Sequence, residues 1–283
     1  MSPAIQAFFD TATHTVSYLV SDPATKAAAI IDPVLDFDPK AARVTTASAD
    51  RLLAAVREQG LAVHWILETH AHADHLSSAD YLRAETGAKV VIGAHIRAVQ
   101  QTFGDLFEAE ADGRVFDRLV DEGDTLSLGV LEIGVMHTPG HTPACVTYRI
   151  GDTAFVGDTL FMPDYGTARA DFPGGDATAL YRSIRRILAL PPETRIFVGH
   201  DYLPAGRDRF QWETTAAEQR LANIHVRDGV EEAAFVAMRE ARDATLAAPT
   251  LILPSLQVNI RAGALPEPSA TGRVFLKLPV NAL

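Results

Sequence analysis

Short apolar runs alternate along this chain with longer segments in which apolar residues return every three or four positions. The first pattern predicts strands and the second amphipathic helices. Ser17-Tyr-Leu-Val20 and Ala27-Ala-Ala-Ile-Ile-Asp32 predict a hairpin turned by Asp22-Pro-Ala-Thr25. Ser48 opens a helix with Leu52, Leu53 and Val56 on one face, and Gly60 ends it. A buried strand over 63–69 is followed by a polar loop, a helix over 76–85 stopped by Gly87, and a strand over 89–92. Residues 100–118 are weakly patterned and predict an inserted helix and loop. Strands return at 125–128, 131–136, 145–148 and 153–156. Asp176 caps a helix carrying Leu180, Ile184, Ile187 and Leu188, closed by Pro191-Pro192. Two helices, about 212–226 and 230–247, precede an irregular tail that includes the extended loop Leu265-Pro-Glu-Pro-Ser269. The class is α/β, read as one domain over 1–283 with a helical and irregular C-terminal extension, 206–283.

The loop after the strand at 63–69 carries the chemistry. His70-Ala-His72-Ala-Asp74-His75 packs three imidazoles and a carboxylate into six residues. Such groups are costly to bury unless something pairs with them, and one or two divalent cations would satisfy all of them together. Further ligands come from Pro139-Gly-His141, Gly157-Asp158 and Gly199-His200, each at a turn after a β-rich run, where a rigid strand end can fix a ligand. His70, His72, His141 and Asp158 would form one site; Asp74, His75 and His200 with a bridging Asp158 would form a second. Two metals so held would activate a water for hydrolysis. His70, His141 and Asp158 alone are two imidazoles and one carboxylate, the set that leaves open positions on Fe(II). Ligand counting permits both. Asp32 is either a hydrogen-bond acceptor behind a metal-bound histidine or a turn residue before Pro33.

Composition narrows the partners. A net charge of −11 with scattered Lys and Arg argues against nucleic acid. Arg182, Arg185 and Arg186 fall on the solvated face of a helix. Cys145 is the only cysteine, read as a core thiol, and its solitude suits a reducing cytoplasm. The N-terminus lacks the basic start and apolar run of a signal peptide, and no stretch of about 20 apolar residues predicts a membrane span. His14, His64, His95, His137 and His225 match no motif.

The order Thr69-His-Ala-His-Ala-Asp-His75, His137-Thr-Pro-Gly-His-Thr-Pro-Ala-Cys-Val-Thr-Tyr148, Gly157-Asp158, Ala168-Arg-Ala-Asp-Phe172 and His200-Asp-Tyr202 resembles the metallo-β-lactamase superfamily over about 15–205. Within it the chain looks most like the persulfide dioxygenases, in particular the bacterial β-lactamase-like hydrolase (Blh) branch. The resemblance implies an αβ/βα sandwich of two mixed β-sheets flanked by helices. It also implies one Fe(II) per chain on His70, His141 and Asp158, with His72, Asp74, His75 and His200 as partly used ligands. Tyr202 and Arg220 match positions that hold the glutathione part of the substrate, and Asp171 matches a residue near the iron. The chain departs from shorter family members at Ala205-Gly-Arg-Asp-Arg-Phe-Gln-Trp212, a segment that could reshape the pocket or supply Arg207 or Arg209 in place of Arg220. The reading is a cytoplasmic dioxygenase that uses dioxygen to oxidise a thiol persulfide based on glutathione, with homo-oligomerisation left open. Its rival is a hydrolase holding two Zn(II), cleaving a thioester in the manner of glyoxalase II, or an ester or lactone.

Overall fold

The computed structural model describes residues 2–110 and 112–281; Met1, Ala111, Ala282 and Leu283 of the expected 1–283 span lie outside them. The N-terminal half runs β1 (Ala4–Asp10), β2 (Thr15–Ser21), β3 (Ala27–Ile31), β4 (Val34–Asp38), β5 (Arg43–Thr45), α1 (Ala47–Gln59), β6 (Ala62–Leu67), β7 (Leu76–Ser77), α2 (Ala79–Thr86), β8 (Lys89–Gly93), α3 (Ile96–Phe107) and β9 (Arg118–Val120). The C-terminal half runs β10 (Thr125–Leu128), β11 (Leu131–His137), β12 (Val146–Ile150), β13 (Thr153–Phe155), α4 (Ala177–Leu188), β14 (Arg195–Phe197), β15 (Glu213–Thr215), α5 (Ala216–Ala222), α6 (Glu232–Asp243) and α7 (Ile252–Asn259). The strands make one sheet ordered β1-β2-β3-β6-β8-β9, a second ordered β10-β11-β12-β13-β14-β15, and a small β5-β4-β7 sheet.

Strand periodicity explains why the sheets stack with helices outside. Val16, Tyr18 and Val20 of β2 and Ala27, Ala29 and Ile31 of β3 enter the core between the sheets. Their alternates Leu19, Ala28 and Ile30 face the other way, onto Leu52 and Leu53 of α1 and Val99, Phe103 and Phe107 of α3. In the second sheet Phe197 of β14 points into the inter-sheet core, while its neighbour Ile196 packs under Leu180, Ile184 and Ile187 of α4 and Phe235 of α6. Covered on both faces, β2 and β3 are buried along their whole length, and β3 is apolar throughout. This is the expected αβ/βα sandwich.

Strand direction then decides where the polar loops meet. β3 and β6 are parallel, as are β13 and β14, and β11 shares the direction of β13 because each is antiparallel to β12. The loops that follow β3, β6, β11, β13 and β14 carry Asp32, His70, His141, Asp158 and His200, and they emerge together at one edge of the sandwich. Two tyrosines fasten that edge across the inter-sheet core. Tyr18 of β2 donates to the Val198 carbonyl (2.5 Å), and Tyr148 of β12 donates to the Glu68 carbonyl (3.0 Å).

Five elements differ from the sequence expectation. Leu76 and Ser77 form a short strand against β4, so the helix expected from residue 76 starts at Ala79. The stretch 100–118 contains the end of a well-patterned helix, α3, whose buried Ile96 and Val99 lie before that window. The helix expected over 212–226 begins only at Ala216, because Glu213–Thr215 pair with β14 and Thr215 forms a capping box with Glu218. The tail expected to be irregular contains α7, whose Pro254 sits in the first turn, where no backbone donor is needed. Ala4–Asp10, left without an element by the pattern, is the half-buried edge strand β1. No helix of the described residues is long and apolar enough to cross a membrane.

Replacing Tyr148 or Tyr18 by Phe would leave a buried strand-end carbonyl without its donor. Each variant should lose about 1–3 kcal/mol of unfolding free energy. Denaturant titration checks this; a change under about 0.5 kcal/mol would show that the hydroxyl does not hold the edge.

Candidate metal centre

Each histidine at this edge is turned by a partner behind it. Thr69 donates its backbone N–H (2.7 Å) and its hydroxyl (2.8 Å) to Asp32. With its proton committed there, the Thr69 oxygen accepts from His70 Nδ1 at 3.0 Å, and the His70 Nε2 lone pair faces the site. His141 donates from Nδ1 to the Arg169 carbonyl (2.8 Å), and His200 from Nδ1 to the His14 carbonyl (3.2 Å). His72 donates from Nε2 to Asp32 (3.1 Å) and Glu68 (3.2 Å), which leaves Nδ1 as its inward atom. His75 Nδ1 lies 3.3 Å from the Thr15 hydroxyl. Such outer partners set tautomer and ring orientation.

The inward atoms form two groups. Ligand atoms of His70, His141 and Asp158 lie within 4.8 Å of one another, as do those of His72, Asp74, His75 and His200. Asp158 stands between the groups. Its Oδ2 is 3.9 Å from His70 Nε2 and 3.8 Å from His141 Nε2, and its Oδ1 is 3.3 Å from His200 Nε2. His72, expected with His70, His141 and Asp158, has its ring centroid 4.1 Å from those of both His70 and His75. Asp32 and Glu68 hold its Nε2, and its remaining nitrogen joins the Asp74, His75 and His200 group.

His70 Nε2, His72 Nδ1, Asp74 Oδ2, His75 Nε2, Asp158 Oδ1 and His200 Nε2 are all buried without a hydrogen-bond partner. Lone pairs facing one another across distances of 3–4 Å fit a cation and little else, since ligands about 2.1 Å from one ion stand roughly 3–3.5 Å apart. Burial, with the neighbouring His72 and His141, holds His70 well below the usual imidazole range, so it is neutral and able to ligate. Burial alone would raise Asp32; His72 and the Thr69 donors outweigh it and hold the carboxyl below its usual range. Burial would lower His72, but Asp32 and Glu68 raise it well above the usual value in the metal-free protein.

Two glycines admit this crowding. A Cβ on Gly199 would stand 2.6 Å from Asp158 Oδ1. Gly157 takes a left-handed φ of +50°, and a Cβ there would meet Thr69 Oγ1 at 2.4 Å. The centre opens into a cavity of about 550 Å³ walled in part by Phe161, Tyr165, Tyr202, Arg239, Arg242 and Leu246.

Tyr202 lies in this wall, its ring stacked on His200 (5.6 Å between centroids). Burial, with Asp74 and Asp158 nearby, pushes its phenol up and keeps it a neutral donor. Arg220 is not brought to the cavity: it is an exposed residue of α5 paired with Asp228 at 3.0 Å. Asp171 makes no hydrogen bond to a histidine among the described residues; it pairs with Arg169, whose carbonyl receives His141. In the 205–212 segment, Arg207 binds the buried Asp201 and Asp164 and so latches the loop after His200, whereas Arg209 is exposed. Cys145 is buried and its thiol is pushed up to about 12 by burial, consistent with a core residue.

Three residues of the site escaped the sequence reading. Glu68 and Thr69 immediately precede the histidine motif, and a carboxylate closing an apolar strand was an available signal. Asn259 of α7 had none. Its Nδ2 donates to the carbonyls of His72 and His75 (both 2.8 Å), and its Oδ1 accepts from Ser77 N–H (2.8 Å).

Comparison with known proteins finds relatives that share this fold. The sequence model of the family described as "Metallo-beta-lactamase superfamily" matches residues 10–200. A beta-lactamase hydrolase-like protein of Xylella fastidiosa is 54% identical over 100% of this chain, which spans 66% of that longer relative. Glyoxylase B2 of Dictyostelium discoideum is 46% identical, over 99% of this chain and 97% of its own. The mitochondrial persulfide dioxygenase ETHE1 of Homo sapiens is 31% identical over 70% of this chain and 68% of its own. Among solved structures, ETHE1 from Myxococcus xanthus superposes with a TM-score of 0.75 at 32% identity, covering 92% of this chain and all of that one.

Asn259→Ala would strip two buried carbonyls of their donor at once. It should cost about 2–3 kcal/mol of stability and lower bound metal per chain after dialysis. Thermal unfolding with elemental analysis reads both, and unchanged metal content would remove Asn259 from the site.

Proposed function

The chain belongs to the metallo-β-lactamase superfamily, and within it we propose that it is a non-haem Fe(II) dioxygenase acting on a thiol persulfide, with glutathione persulfide as the expected substrate. The observation that carries this reading is the separateness of His70, His141 and Asp158. They gather as two imidazoles and one carboxylate with ligand atoms within 4.8 Å of one another, while the inward Nδ1 of His72 groups with Asp74, His75 and His200. A facial set of this composition leaves positions open for two reactants. The likeness to proteins named persulfide dioxygenase or ETHE1, at 31–32% identity, supports the same choice.

In this reaction the terminal sulfur of the persulfide takes both atoms of dioxygen and one oxygen from water. The sulfur–sulfur bond breaks, four electrons pass from sulfur to dioxygen, and the thiolate, sulfite and two protons leave. Bound Fe(II) would supply the redox chemistry that joins dioxygen to sulfur. The protein's own residues do the rest. Thr69 and the Arg169 carbonyl hold His70 and His141 in the tautomers that present Nε2. Asp158 contributes the charge that balances a divalent ion. Phe161, Tyr165 and Tyr202 make a largely apolar approach in which a soft sulfur anion loses competing water, and the Tyr202 phenol remains a donor.

A second reading rests on its own observation. Asp158 also faces His200, which lies 3.2 Å from Asp74, and this group could hold a second metal. Two zinc ions so placed would suit hydrolysis of a thioester, ester or lactone, and relatives named glyoxylase and hydrolase-like accord with it.

The readings part at His200. Asp158→Ala should reduce retained iron at least about tenfold and abolish oxygen uptake, whereas His200→Ala should keep iron and measurable turnover. Equal loss in both variants, with two metals bound per wild-type chain, would favour the hydrolase.

A further inference from the structure

The wall of the cavity opposite the metal ligands is built from the C-terminal helix α6 and the chain after it, and the cations there are not alike. Arg169 is committed to Asp171 (2.6 Å) and to the Ala247 carbonyl (2.7 Å). Arg239 is buried and committed to Asp243 (2.6 Å) and the Thr167 carbonyl (3.2 Å). Both are neutralised and serve the fold. Arg242, one helical turn beyond Arg239 on α6, lines the same cavity, and its guanidinium makes no hydrogen bond or ion pair among the described residues. The hydroxyls of Tyr165 and Tyr202, whose rings lie 5.0 Å apart in that wall, are likewise uncommitted among the described residues. Arg242 and Arg239 both act on the Tyr165 phenol against the effect of its burial.

An uncommitted guanidinium lining one cavity with two phenol donors suits a carboxylate, since guanidinium presents paired N–H groups in the plane a carboxylate requires. The chain is strongly acidic overall, so an anionic substrate gains little from the general field and needs such a local cation. We propose that Arg242, with Tyr165 and Tyr202, is the subsite that binds a carboxylate on the organic part of the substrate. Arg220, paired to Asp228 on the outer surface, takes no part. This rests on the reading that the substrate is a peptide-like thiol derivative entering this cavity, and it holds for either reaction at the metal. Arg242 acts as a positioning residue: it anchors the tail and leaves the reacting sulfur to the metal ligands.

The test compares Arg242→Gln, Arg242→Lys and Arg220→Gln in the metal-loaded protein, using glutathione persulfide, its diethyl ester and calorimetric binding of glutathione. The expected result for Arg242→Gln is a rise of roughly 10- to 100-fold in KM for the persulfide and in Kd for glutathione, with kcat changed less than about threefold. Wild type should prefer the free acid to the ester and Arg242→Gln should not, while Arg242→Lys recovers part of the loss and Arg220→Gln behaves as wild type. Unchanged KM and Kd in Arg242→Gln, an equal loss in Arg220→Gln, or no glutathione binding by wild type would overturn the subsite. Absence of oxygen uptake in every form, with glutathione binding still weakened by Arg242→Gln, would refute the dioxygenase and leave the subsite standing.

Discussion

Lone pairs that face one another in a buried space are the constraint on which this protein is organised. Six ring-nitrogen and carboxylate atoms of His70, His72, Asp74, His75, Asp158 and His200 are sealed from solvent with no hydrogen-bond partner. Left alone they repel and forfeit hydration; with a cation between them the same arrangement is favourable. Much of the surrounding structure serves to hold that arrangement. Thr69, Asp32, Glu68 and the carbonyls of Arg169 and His14 take the outer side of the rings, and Gly157 and Gly199 remove the side chains that would keep the ligands apart.

The sandwich is the means by which distant segments reach this point. Two parallel strand pairs, one in each sheet, deliver their following loops to one edge, and cross-sheet hydrogen bonds from Tyr18 and Tyr148 secure the carbonyls just ahead of His200 and His70. Ligand placement is thus tied to inter-sheet packing. The C-terminal region completes the site from outside: Asn259 of α7 grips the backbone of the histidine loop, and α6 closes the substrate cavity.

Legibility in the sequence followed the range of the interactions. The histidine motif, the turn ligands His141, Asp158 and His200, and the layered architecture are signalled locally, by residue type beside a strand or by apolar periodicity. Which nitrogen His72 turns inward was not, because it depends on which one Asp32 and Glu68 hold, and Asp32 lies 40 positions away. Arg220 sits in the motif expected of a substrate clamp, yet pairing with Asp228 turns it outward, a contact no pattern announces. Asn259 and Arg242 belong to segments whose local sequence says only helix or tail; Asn259 takes its meaning from a loop 187 positions distant and Arg242 from the cavity it lines. α7 was hidden for a simpler reason, since proline reads as a breaker until it is seen to occupy the first turn.

The central claim is that the triad of His70, His141 and Asp158 supports oxidation of sulfur rather than hydrolysis. The most direct test is oxygen consumption by the iron-loaded protein on addition of glutathione persulfide, with sulfite quantified in the same sample and metal-free and zinc-loaded protein as controls. The account predicts one sulfite for each dioxygen consumed in the iron form and none in either control. No uptake by the iron form, together with thioester cleavage by the zinc form, would contradict it.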